Sequence, residues 1–225
     1  MGRLDAAHAL LTEVRRTAEV LGNRLHEWWA RRYQALALLH QGRAREALAV
    51  VAPAEAGFRT RGGVVDLMNI LALQAIAHER LGESDTALAL ANEAIALGAR
   101  NPPPGQQSFE LHAFLPEVLL RAWGRARLQI AQGGDHRAQG EAAAVVLGRQ
   151  VRLSLRAAAR YARMFRIGQP GLLLNRARAC AIEGRTREAD RLAGRAAALA
   201  TELGMPLDID VERAALRRPP MQAQG

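Results

Sequence analysis

The sequence predicts an all-α fold built from helical hairpins, and three features predict it. Alanine, the strongest helix former, occurs 46 times in 225 residues. No stretch sustains the alternation of β-branched or aromatic with polar side chains that marks a strand. Apolar segments with helical spacing end repeatedly on glycine, most cleanly in Gly171–Gly204, where one helix stops at Gly184 and the next opens at Thr186. Hydrophobic residues make up 49 % of the chain, too many for a disordered polypeptide, while aromatics at 4 % suit thin, closely packed helices.

Residues 4–21 read as an amphipathic helix with Leu10, Leu11, Val14 and Leu21 on its apolar side, ended by Gly22-Asn23. Residues 24–41 carry Trp28, Trp29, Tyr33, Leu36 and Leu39 and end at Gly42. Residues 44–60 follow, with Pro53 expected to kink them. After Gly62-Gly63, residues 64–81 are helical, and Ser84 or Asp85 caps a helix to Leu97 beyond Gly82. Three consecutive prolines place a loop at 99–108. Residues 109–132 resume as helix, Pro116 being tolerated if a fresh helix starts there. Gly133-Gly134 breaks the chain, and Asp135 caps a helix over 136–167 with weak points at Gly140 and Gly148. Gly168 to Gly171 reads as a turn. Beyond Gly204, Met205–Leu207 is a linker, Asp208 or Asp210 caps a short helix to Arg217, and residues 218–225 are a frayed tail.

The breaks at Gly42, Gly82, Gly133 and Gly184 align. Seven residues before each stand Ala35, Ala75, Ala126 and Ala177; five after stand Ala47, Ala87, Ala138 and Ala189; twelve after stand Ala54, Ala94, Val145 and Ala196. Two antiparallel helices joined by a tight turn need a left-handed residue at the turn and small side chains where they cross closest. This pattern resembles the tetratricopeptide repeat, over roughly residues 24–204. The resemblance implies a right-handed α-solenoid of about four degenerate repeats, one domain over 4–217 with an N-terminal half-repeat at 4–22. The repeats here are 40, 51 and 51 residues long against the family's 34. Gln34, Gln74, Arg125 and Arg176 replace the large apolar residue expected just before the small one.

RYARMFRIGQP (160–170) and ATELGMP (200–206) resemble the C-terminal regions of large bacterial signalling proteins, which join an ATPase module to a cyclase or a LuxR-type DNA-binding domain. That resemblance implies a sensor or interaction role. Residues 5–22 also align with 187–204 without a gap, so the chain is expected to begin with the second helix of a repeat, as a fragment or relative of a longer protein. The partner is then a protein or peptide, or upstream domains of the same polypeptide. The apolar side of the first helix is a further route to oligomerisation.

Chemistry-bearing motifs are sparse. With no Lys in the chain there is no phosphate-binding loop of the Gly-x-x-x-x-Gly-Lys type. The six histidines have no i, i+4 partner, and the single cysteine, Cys180, sits among alanines as a core thiol. The expectation is a non-enzyme without cofactor or metal. No signal peptide or membrane span is read, which places the chain in the cytoplasm.

The net charge of +9 comes from 31 Arg, an imbalance that invites a polyanion reading. Its sharpest local form is Arg149, Arg152, Arg156, Arg160 and Arg163, spaced to line one helix face, in a stretch from Ala142 to Ile182 with no acidic residue. This stripe is the alternative reading: a basic module for nucleic acid or another polyanion. The repeat resemblance instead points to the face lined by first helices, at six, ten and thirteen residues before each glycine. There it implies partner contacts by Trp29, Arg32, Leu36, Asn69, Ile76, Trp123, Arg127 and Arg178.

Overall fold

The computed structural model describes residues 2–61, 63–100, 105–134 and 137–205, and their regular structure is entirely helical. The caps expected at Asp135, Asp208 and Asp210 and the tail at 218–225 lie outside the described residues. The chain forms two compact units, Met1–Leu111 and His112–Gly225. The first holds α1 (Gly2–Val20), α2 (Arg24–His40), α3 (Ala44–Arg61), α4 (Val64–Arg80), α5 (Ser84–Arg100) and the start of α6 (Phe109–Gln132). From α1 to α5 each helix packs on its successor, and α2 also touches α4. The second unit holds the rest of α6, α7 (Arg137–Met164), α8 (Gln169–Ile182) and α9 (Thr186–Glu202), with α7 on α8 and α8 on α9.

One turn recurs. At Gly42, φ is 78°; the Gly42 N–H donates to the Leu39 carbonyl and the Arg43 N–H to the Leu38 carbonyl. The same two bonds close the helices at Gly22, Gly82, Gly184 and Gly204, all with positive φ. They satisfy carbonyls that the helix end leaves without partners, and only glycine takes this conformation without strain. The next helix begins two residues on, at Arg24, Ala44, Ser84 and Thr186. Ala35, Ala75 and Ala177 on the first helices and Ala47, Ala87 and Ala189 on the second are all 4 % exposed or less. The small side chains thus sit at the helix crossings.

The break at Gly133 departs from this register. Gly133 and Gly134 both have positive φ, and α7 starts four residues after Gly133, two later than in the other turns. Ala138 is therefore exposed and Val145 is 73 % exposed, against the inward places expected for them. Gly140 and Leu147, two residues further on, are buried instead. Gly140 meets the backbone of Ala126, and Gly148 meets the indole of Trp123.

Other boundaries also move. Helix α3 runs unbroken through Pro53; the proline and Ala49, whose carbonyl it leaves without a donor, both face solvent. Helix α6 runs through Pro116 and starts at Phe109. Its first turn is held from α4: the Asn69 carboxamide accepts from the Leu111 N–H at 3.1 Å and donates to the Gln107 carbonyl at 2.7 Å. Helix α7 is continuous through Gly140 and Gly148. The turn before α8 lies at Arg166–Gly168, so Pro170 and Gly171 both enter the first turn of α8.

Candidate functional site

The second unit carries the arginine face and, beside it, a groove. Helix α7 has a hydrophobic side of Val151, Ala158 and Ala162, all buried, so Arg149, Arg152, Arg156, Arg160 and Arg163 are turned outward and all are exposed. From Arg149 to Arg163 this face spans about 21 Å at 1.5 Å per residue.

The groove encloses about 650 Å³. Each of three helices gives it one stripe at helical spacing: Ala159, Ala162 and Arg163 from α7; Gln169, Leu172, Leu173 and Arg176 from α8; Arg195, Ala198, Leu199 and Glu202 from α9. The Gln169 carboxamide donates to the Ala162 carbonyl at 3.3 Å and ties the floor to one wall. The apolar lining is aliphatic and small. Glu202, the one carboxylate in the lining, is held by Arg166 at 2.5 Å. Arg163, Arg176 and Arg195 are exposed, and none has a carboxylate partner among the described residues.

The face expected to bind a partner is different. Arg32 is 2 % exposed; its Nη1 donates to Asp66 at 2.5 Å, its Nη2 donates to the Tyr33 hydroxyl at 2.7 Å, and its Nε lies 3.3 Å from Glu110. Burial pushes the Glu110 carboxyl up, and Arg32 partly offsets this. Asn69 caps α6, and Ile76 is fully buried. Arg178 is buried, donating to Asn175 at 2.7 Å and pairing with Glu117 at 3.0 Å. These four side chains bind within the chain, so the expectation that they line an open face is corrected. Their charges and amides are consumed by carboxylates and backbone groups on neighbouring segments. Trp29 and Leu36 are half-buried, Trp29 edge-on to His26; Trp123 is half-buried over Gly148; Arg127 is exposed.

Sequence reasoning missed Glu110 and Glu117, the counterions of Arg32 and Arg178. The signal was present as two carboxylates in the run Phe109–Leu120, which is otherwise apolar but for His112. It also missed His112, whose ring lies 4.7 Å from that of Tyr161; burial, helped by the positive charge of Arg160, holds its imidazole down at about 4. Cys180 is buried among Ala177, Ala189, Leu192 and Ala193, and burial pushes its thiol up. Among the described residues no three His, Cys, Asp or Glu side chains converge as metal ligands, and no helix is long and apolar enough to cross a membrane.

Comparison of the chain with family models, curated proteins and solved structures found no match.

Proposed function

We propose that this chain is a non-catalytic helical-hairpin module that binds another protein, of the kind found in the interaction segments of bacterial signalling ATPases and cyclases. The observation that carries this reading is the groove of α7, α8 and α9, where an aliphatic floor lies between unpaired guanidinium groups. Arginine is enriched in protein-binding hot spots, and the buried core of an interface is more apolar than the rest of the surface. The recurring glycine turns and inward alanines support the repeat resemblance behind the signalling assignment.

The α7 arginine face favours a second reading, a polyanion module. A phosphate backbone would use the arginines but leave Leu173 and Leu199 with nothing to bury against. The two readings separate in a selection of displayed helical peptides against the full chain, run beside retention of single-stranded RNA. Protein binding predicts an enriched peptide family that persists at physiological salt and is lost on Leu173→Gln. A chain that enriches no peptide but holds RNA, with affinity falling steeply as salt rises, overturns the reading in favour of the polyanion.

A further inference from the structure

We infer that the α7–α9 groove is the seat of a fourth helix, supplied by a partner as an acidic amphipathic helix. The inference rests on the protein-binding reading above and names the partner that reading leaves open.

The shape argument comes from the repeat itself. Gln169, Leu172, Leu173 and Arg176 stand fifteen, twelve, eleven and eight residues before Gly184. The residues at the same offsets from Gly82 are Leu67, Ile70, Leu71 and Gln74 on α4, and all four are buried. Helix α3 packs on α4 there, and Glu55 of α3 accepts from the Gln74 side chain at 2.7 Å. In the first unit the preceding helix thus delivers a carboxylate to the residue eight before the glycine. In the second unit the preceding helix, α7, buries Leu172 against Ala158 and Ala162, but a groove stays open between α7 and α9, where Leu173 is half-buried and Arg176 is exposed and meets no carboxylate among the described residues. Stripes at i, i+3, i+4 and i+7 on α8 and α9, and at i, i+3 and i+4 on α7, form its floor and walls, and Ala159, Ala162 and Ala198 let a helix backbone come close.

The charge of the groove sets the chemistry of its occupant. Arg163, Arg176 and Arg195 line the groove from α7, α8 and α9 respectively. Glu202 is neutralised by Arg166, so three guanidinium groups remain. A helix with a leucine stripe flanked by Glu or Asp matches both the floor and the rim, and a guanidinium fork accepts a carboxylate in bidentate fashion. A basic helix would meet repulsion from the rim.

The test is fluorescence anisotropy of labelled peptides of about 18 residues, long enough as a helix to span α8, titrated with the full chain. One peptide carries leucines at i, i+3, i+4 and i+7 flanked by Glu; a second replaces every Glu by Gln; a third scrambles the first; heparin is the polyanion competitor. The first peptide is expected to bind at least tenfold tighter than the other two, and to lose at least tenfold on Arg176→Glu with Arg195→Glu, the variant's helical melting being unchanged. If the Gln peptide binds equally well and is lost on Leu173→Gln, protein binding stands and the acidic partner falls. If the scrambled peptide equals the patterned one, the groove does not read a helix and the inference falls. If no peptide binds while heparin does, the acidic-helix inference and the protein-binding reading fall together, in favour of the polyanion.

Discussion

A Cβ placed on Gly140 would lie 3.1 Å from the carbonyl oxygen of Ala126. Gly140 thus occupies the close-crossing position that Ala47, Ala87 and Ala189 fill in the other hairpins, moved two residues by the longer turn at Gly133-Gly134. Gly140→Val is expected to cost about 1–3 kcal/mol by overpacking against backbone. Val145→Glu, on an exposed residue, is expected to stay within about 0.5 kcal/mol. Urea unfolding of the two variants checks the register; if Val145→Glu proves the costlier, the shift is wrong.

The glycines separate into two kinds. Gly184 has φ 78°, while Gly171 lies inside α8 with open space, free of other atoms to 4 Å, where a methyl group would stand. Gly184→Ala is expected to destabilise by about 1–2 kcal/mol. Gly171→Ala is expected to stabilise by about 0.5–1 kcal/mol, since alanine loses less entropy on entering the helix. Thermal unfolding of both variants distinguishes a turn glycine from a helix glycine.

These turns show what the sequence made legible. A left-handed helix end demands glycine, so Gly22, Gly42, Gly82, Gly184 and Gly204 announced the hairpins, and the alanines at fixed offsets announced their crossings. The turn after Gly133 hid its register because it runs two residues longer than the others, so the fixed offset counted from either glycine misses Gly140 and Leu147. The partner face was not legible for another reason. Whether Arg32 or Arg178 points outward depends on a carboxylate far along the chain, Glu110 or Glu117, and spacing within one helix cannot report it. The arginine stripe was legible because it depends on α7 alone. The groove was not, since it needs three helices to be placed.

Arg32→Met leaves Glu110 buried without its counter-charge. The expected loss is about 3–5 kcal/mol, and Glu110→Leu in the same chain should recover most of it. Chemical denaturation of the single and double variants measures the coupling. A double variant no more stable than Arg32→Met would show that the ion cluster is not what holds this part of the first unit.

His112 sets a pH dependence in the second unit. Its imidazole titrates at about 4 in the fold against 6.5 when free, so the folded state holds it neutral. Above pH 6.5 its contribution is fully present; as pH falls from 6.5 to 4 the unfolded chain takes up the proton first and stability drops, by up to about 3 kcal/mol. Glu110 acts with the opposite sign, because its raised carboxyl favours the fold as pH falls. The difference between the wild-type chain and His112→Phe, followed as stability against pH, isolates the histidine: the slope between pH 4 and 6.5 should be shallower in the variant.

The most direct measurement of the central claim is amide hydrogen exchange on the full chain, with and without the acidic amphipathic peptide. Docking in the groove predicts slowed exchange in α8 and in the C-terminal halves of α7 and α9, with α2 and α4 unchanged. Slowed exchange confined to the outward arginines of α7, or centred on Trp29 and Leu36 of α2, would contradict it.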